Sequence, residues 1–347
     1  MKKFVLRAVA ILLLLNLIFP LAACGGAEDD VTTIRIGVAL YKQDDTFISL
    51  VSQELEKYAM EKEAELGIKI NLYISDGNGS QSAQNEQIDR FLDRGYDIIC
   101  VNVVDRTAAA VLIDKAQNAE VPIIFFNREP VYEDMMRWHN VYYVGSDGAG
   151  SGVLQGQIIL NAIENGTVID RNGDGVLQYV MLEGEPGHQD ALLRTENSVR
   201  VLTASGIAVE KLAGDSANWQ RGQALEKMRT WLRDMGESIE LVIANNDDMA
   251  LGAIDACTEL EMAVEDMPFI VGVDATPPAL IALQDGTLKG TVLNDAEGQA
   301  HAMINLSCAL AFDEPISAAV ELVDGNYIWL PYVTVTLDNI EDFLEEE

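Results

Sequence analysis

The sequence predicts an α/β protein built from two doubly wound parallel-sheet domains. Short, wholly apolar runs recur along the chain, as expected of strands covered on both faces. Segments with helical spacing of apolar residues separate them, and the alternation falls into two series.

The first series opens with residues 34–40 (IRIGVAL) as a buried strand, and 47–65 follow with helical spacing. Residues 68–74 read as strand, 81–94 as helix, 97–104 as strand, 107–118 as helix and 121–126 (VPIIFF) as strand. After a polar stretch, the run 141–144 opens the second series, with a helix over 150–164 and a strand over 179–182. Helix 191–205, strand 208–212, helix 220–235, strand 241–244 (LVIA), helix 249–260 and strand 269–273 (FIVGV) complete it. A last strand-like segment, 332–336, follows a break at Pro331.

In open α/β sheets, ligands bind beyond the carboxyl ends of the strands. The residues just after the apolar runs are Asp44 and Asp45, Asp76, Asp105, Asn127, His188 and Asp190, Asn245 to Asp248, Asp274, and Asn294 with Asp295. Carboxylates accept, amides do both, and Arg194 nearby donates in a fixed fork, which suits a ligand rich in hydroxyls. Phe47 and Trp219 stand at loop-to-helix junctions and could pack flat on the apolar face of a sugar ring. The plainer alternatives are that both rings are core residues, and that Asp76, Asp105, Asp248 and Asp295 are helix caps.

Residues 170–194 join two kinds of chemistry. Asp170, Asn172 and Asp174 alternate before Gly175, with Val176 offering a carbonyl and Gln178 an amide, which resembles the start of a calcium loop. The twelfth position, where a bidentate glutamate belongs, is Met181, and a strand follows instead of a helix. A plain polar turn is one reading. A structural ion completed by a carboxylate from elsewhere is the other. One strand later, Gly184 to Gly187 turn the chain and deliver His188, Asp190 and Arg194.

The amino terminus reads as an address. Lys2, Lys3 and Arg7 precede the apolar run 9–18, too short for a comfortable membrane span, and Leu21-Ala22-Ala23 precede Cys24. That is a lipobox: residues 1–23 form a lipoprotein signal peptide, Cys24 carries lipid and anchors the protein to the membrane, and 24–31 form a tether. An ordinary signal peptide with an incidental cysteine is the alternative. The formal charge of −33 argues against a nucleic-acid partner and favours a neutral or cationic ligand. Cys100, Cys257 and Cys308 lie in apolar runs and read as small buried hydrophobes.

The strings YKQDDTF, VPIIFFNREP, YYVGSD, GEPGHQDALLR, VIANNDDMALGA, GVDA and GTVLNDA resemble the galactose/glucose-binding proteins of bacterial ABC sugar importers, a type I periplasmic-binding-protein family, over residues 34–343. The resemblance implies a non-enzymatic monomer, extracytoplasmic and here lipid-anchored, that closes around D-galactose or D-glucose and hands it to a permease, with a membrane chemoreceptor as a further partner. It implies that Asp45 takes the hydroxyl that differs between the two sugars. Asn127, His188, Asp190, Arg194, Asn246, Asp274 and Asn294 would bond the other oxygens, and Phe47 and Trp219 would sandwich the ring. It implies structural Ca2+ held by Asp170, Asn172, Asp174, the Val176 carbonyl and Gln178, with Glu240 supplying the carboxylate that Met181 cannot. It also implies one lobe of residues 32–144 plus 297–329 and another of 146–292 plus 331–345. Hinge segments would lie near 145–147, 293–296 and 330–333.

Three other functions compete. A glycosidase using Asp45 and Asp190 lacks any visible strained nucleophile turn. A transcription regulator on the same core lacks a helix-turn-helix before residue 34. A chemosensory sugar sensor shares the binding site and is not separable by sequence.

Overall fold

The computed structural model describes residues 32–344, so the signal-peptide, tether and Cys24 expectations, and residue 345 of the second lobe, lie outside the described residues. Among the described residues no helix is long and apolar enough to cross a membrane.

The first series forms β1 Thr33–Leu40, α1 Thr46–Leu66, β2 Lys69–Asp76, α2 Gln81–Asp93, β3 Ile98–Val101, α3 Ala109–Asn118, β4 Ile123–Phe126 and β5 Val141–Gly145 (only helices of eight or more residues are numbered). The second comprises α4 Gly148–Glu164, β6 Val176–Glu183, α5 Gln189–Ala204, β7 Ala208–Ser216, α6 Arg221–Met235, β8 Leu241–Ala244, α7 Asp247–Glu259, β9 Phe269–Val271, α8 Pro277–Gln284 and β10 Thr291–Leu293. The chain ends with α9 Ala296–Ala311, β11 Tyr327–Trp329 and β12 Val333–Val335.

The strands sort into a six-stranded sheet, β11-β5-β4-β3-β1-β2, a four-stranded sheet, β7-β6-β8-β9, and the pair β10-β12. Both large sheets are parallel throughout; inner strands such as β3, β4 and β8 are wholly apolar because helices cover both faces, while the edge strands β2 and β7 mix polar and apolar residues. The alternation alone opens the second series at residue 141. In the structure β5 pairs with β4, Ile123 opposite Val141, so that strand belongs to the first sheet instead. Apolar content cannot reveal which sheet a strand joins.

The chain passes between the sheets three times: from β5 to α4, from β10 to α9, and from β11 to β12. Helix α9 packs Ala300, Met303, Ile304 and Leu306 into the core shared with β1 and α1, although it follows β10 of the other lobe. Strand β11 then pairs with β5, and β12 returns to β10. Each lobe is thus completed by a late segment, and the two lobes face each other with the carboxyl ends of their strands. Cys100, Cys257 and Cys308 are free and buried, and burial pushes the Cys100 thiol up to about 12.

Of the four aspartates read as caps, Asp105 and Asp295 do cap helices, accepting from Thr107 N and Gly298 N. Asp76 instead closes a turn, accepting from the backbone of Gln43 and Asn78. Asp248 accepts from Thr46 Oγ1 of the opposite lobe at 2.6 Å, while Asn246 caps its helix.

Candidate ligand-binding site

The cleft between the lobes is lined from the first lobe by Tyr41, Asp45, Phe47, Ile48, Asn127 and Arg128. From the second it is lined by His188, Asp190, Arg194, Trp219, Asn246 and Asp274, and from the β10–α9 crossing by Asn294. All ten residues that the resemblance assigned to the sugar stand around this one space, whereas the strand-end residues Asp44, Asp76, Asp105, Asn245, Asp247, Asp248 and Asp295 do not line it. Tyr41, Ile48 and Arg128 were not singled out. Tyr41 ends the apolar run that leads to Asp45, and Arg128 directly follows Asn127, so strand-end position was the signal available for both.

Each side chain is placed by local structure. Asp45 caps α1, its Oδ1 accepting from Ile48 N at 3.0 Å, while Oδ2 accepts from Tyr41 OH at 2.5 Å. Burial and then the Asp45 charge raise the Tyr41 phenol, so it stays a donor. Phe47, on the first turn of α1, lines the cleft and also belongs to the first-lobe core, so its core and ligand readings coexist. The Arg128 guanidinium lies 3.5 Å from the Tyr41 ring centroid.

His188 caps α5, its Nδ1 accepting from Asp190 N at 3.2 Å. A backbone N–H can only donate, so the imidazole proton sits on Nε2. Burial, reinforced by Arg128, Arg194 and Arg106, holds the ring well below its usual pKa and therefore neutral. Trp219, with φ of 64°, lies edge-on to His188 with centroids 5.0 Å apart. The ring lies over Gly184, where a Cβ would come within 2.1 Å of Cη2.

Arg194 is 4% exposed and organises the second-lobe wall. It donates to Ser151 Oγ at 3.0 Å, Asn245 O at 2.8 Å and Tyr332 OH at 3.1 Å. Its ion-pair distances to Asp190 and Asp274 are 3.7 and 3.9 Å. Burial raises both carboxyls, and Arg194 counters it. Asn246 Oδ1 accepts from Met249 N at 3.0 Å, and Asn294 Nδ2 donates to Asp274 Oδ1 at 3.3 Å. The wall therefore offers carboxylates, amide and guanidinium donors and two aromatic rings.

The 170–178 loop wraps around Glu240. That carboxylate, 2% exposed, accepts from the backbone of Arg171, Asn172 and Gln178 and forms no ion pair among the described residues. Asp170 accepts from Gly173 N and Gly175 N, Asn172 from Asp174 N, and Asp174 from Val176 N. Asn172 Nδ2 meets Gln178 Oε1 at 3.1 Å, and Gln178 Nε2 meets Asp174 Oδ2 at 2.9 Å. Among the described residues no group of three or more histidines, cysteines or carboxylates gathers as a metal-holding cluster. The loop instead mixes carboxylates with amides and a carbonyl. That donor set, around a buried carboxylate without a counter-cation, fits a hard, oxygen-seeking ion.

A family model described as periplasmic binding protein domain matches residues 36–315. The chain is 40% identical over 314 residues to the D-galactose/methyl-galactoside binding periplasmic protein of Haemophilus influenzae, covering 90% of this chain and 92% of that one. It is 28% identical to the xylitol-binding protein of Mycolicibacterium smegmatis, covering 94% and 84% of the two chains. An ABC transporter solute binding protein from Bacillus halodurans with bound myo-inositol superimposes with a TM-score of 0.74 at 29% identity, covering 90% of this chain and 98% of that one.

Proposed function

The chain belongs to the periplasmic binding protein family, and from that premise we propose that it captures D-galactose or D-glucose outside the cytoplasm for an ABC importer. The observation that carries this reading is the composition of the cleft wall. Asp45, Asp190 and Asp274 accept, Arg194 and the asparagines donate, and Phe47 and Trp219 face the same space from opposite lobes. A pyranose presents complementary surfaces: hydroxyls around its edge and C–H groups on its faces. The relative named for D-galactose and methyl-galactosides supports a hexose. Capture is binding and closure, not catalysis. A sugar touching both lobes stabilises the closed form, and that form is what a permease, or a chemoreceptor, would recognise.

In this reading Asp45 takes the hydroxyl that distinguishes the two hexoses. The lobes divide at the three crossings, the protein acts as a monomer, and Cys24 carries the lipid anchor. Asp170, Asn172, Asp174, the Val176 carbonyl, Gln178 and Glu240 would hold Ca2+, which supplies the positive charge that Glu240 lacks and pins the loop leading into β6. A second reading, another polyol, draws on the structural relative with bound myo-inositol.

Calorimetry of residues 24–347 against D-galactose, D-glucose, D-ribose, D-xylose and myo-inositol decides between them. Saturable heat with either hexose, and weaker or no heat with the others, is the expected result. Binding to a pentose or inositol in preference to both hexoses would overturn the hexose assignment and leave the family standing.

A further inference from the structure

Asn102 is fully buried beyond the end of β3 and does not line the cleft. Its side chain nevertheless reaches a cleft residue, Asn127. Asn102 Nδ2 lies 3.1 Å from the Phe126 backbone oxygen, an atom that can only accept. The NH2 group must therefore point that way. The same Nδ2 lies 3.1 Å from the Asn127 side chain, so the Asn127 atom opposite it must be an acceptor, Oδ1. Asn127 Nδ2 is left turned away from Asn102.

Both residues are also fixed at the backbone. Asn127 donates its N–H to Val144 O at 3.0 Å, and its carbonyl accepts from Tyr143 OH at 3.0 Å. Its φ of 60° is one that asparagine tolerates better than most residues. Asn102 is tied by its own N–H to Ala39 O at 2.9 Å and by its carbonyl to Gln84 Nε2 at 2.9 Å. Asn102 Oδ1 is buried with no partner. A buried unpaired acceptor is costly, and here it accompanies an orientation that uses both hydrogens of the neighbouring NH2.

We propose that Asn102 is a positioning residue that holds Asn127 as an obligate donor to the ligand. This rests on the reading of the cleft as a polyol site. It implies that the ligand atom opposite Asn127 is an acceptor: a hydroxyl or ring oxygen binds there, and a protonated amine does not.

The test is a double-mutant cycle on residues 24–347, with D-galactose, D-glucose and myo-inositol as probes. N102D places a carboxylate where the donor was, which demands a donor from Asn127 and turns its amide over. Affinity is expected to fall roughly tenfold or more, the scale of one inverted buried hydrogen bond. In an N127A background the same N102D substitution should cost less than about twofold, because its effect runs through Asn127. Equal losses in both backgrounds would show a merely structural role and overturn the proposal. Side-chain amide 15N–1H spectra without ligand supply a second readout. Both Asn102 amide protons should be protected from exchange and those of Asn127 not, and N102D should protect one Asn127 proton. Protected Asn127 protons in the wild type would also overturn it. If none of the sugars binds, the polyol reading fails while the spectra still decide the role of Asn102.

Discussion

Arg128 Nη2 reaches across the cleft to Glu185 Oε2 at 2.9 Å, joining the end of β4 to the turn that follows β6. Arg128 is 7% exposed and also donates to Val104 O at 3.1 Å. Two more bonds span the lobes: Thr46 Oγ1 to Asp248, and Gln189 Nε2 to Glu129 Oε2 at 2.9 Å. The two lobes are thus joined by protein–protein bonds, which in the proposed capture cycle would hold the closed form alongside any ligand. In E185Q the ion pair becomes a hydrogen bond from a charged guanidinium to a neutral amide oxygen, and the closed state should lose about 1 kcal/mol, roughly fivefold in population. Small-angle scattering of the sugar-free protein should show a larger radius of gyration, and stopped-flow should show faster sugar release. An unchanged radius and release rate would remove the pair from the closing mechanism.

The contact between Gly184 and Trp219 leads to a second expectation. Gly184 has an ordinary φ, so alanine there is strained only by the indole above it. G184A should push Trp219 from its position, lowering stability by about 1–3 kcal/mol and sugar affinity by about tenfold. Titration calorimetry with thermal melts checks this. Loss of stability with full affinity would mean that Trp219 does not stack on the ligand.

Acid should weaken the protein through His188. Its folded pKa is depressed, so below pH ~6.5 the unfolded chain takes up a proton that the folded ring refuses. Stability is therefore lost as pH falls below that point. Asp247, bonded to Thr291 Oγ1 at 2.7 Å and raised to about 7 by burial, acts in the opposite sense. For this carboxyl the folded state holds the proton longer, so its contribution declines as pH rises from ~4 to about 7. Melting temperatures of wild type and H188N between pH 5 and 7 separate the two. The wild type should fall more steeply toward pH 5 than the variant, and parallel curves would exclude His188 as the cause.

Chelation tests the loop around Glu240. An ion bound only to the folded state stabilises it by about 2.7 kcal/mol at a free concentration one hundred times its Kd. EDTA should lower the melting temperature of the wild type, added Ca2+ should restore it, and E240Q should no longer respond to either. A wild-type melt indifferent to EDTA would return the loop to a plain polar turn.

Much of this arrangement is legible in the sequence because parallel sheets present strand ends to the cleft. Asn127, Asp274 and Asn294 follow apolar runs directly and Asp45 follows one after a short polar turn, so position marks them. Arg128 is less legible, since an arginine after a strand looks solvated until Tyr41 and Glu185 are seen around it. Asn102 is hidden for another reason. Its partner Asn127 is twenty-five residues away, and only the pairing of β3 with β4 makes them neighbours. The sheet membership of β5 is illegible because apolar runs carry no register between strands. The Asp248 bond to Thr46 spans two lobes, and no local pattern in either helix announces it.

Asn294 stands in the crossing between β10 and α9, and Gln299, one turn into α9, donates to its Oδ1 at 3.0 Å. In the proposed closing motion the lobes bend about such crossings, so a molecule bonded to Asn294 would grip the fulcrum, not only the jaws. Occupancy there would stiffen the pivot even where the outer contacts are loose. A small ligand that reaches Asn294 without spanning the cleft would slow the rocking of the lobes before it shifted their mean angle.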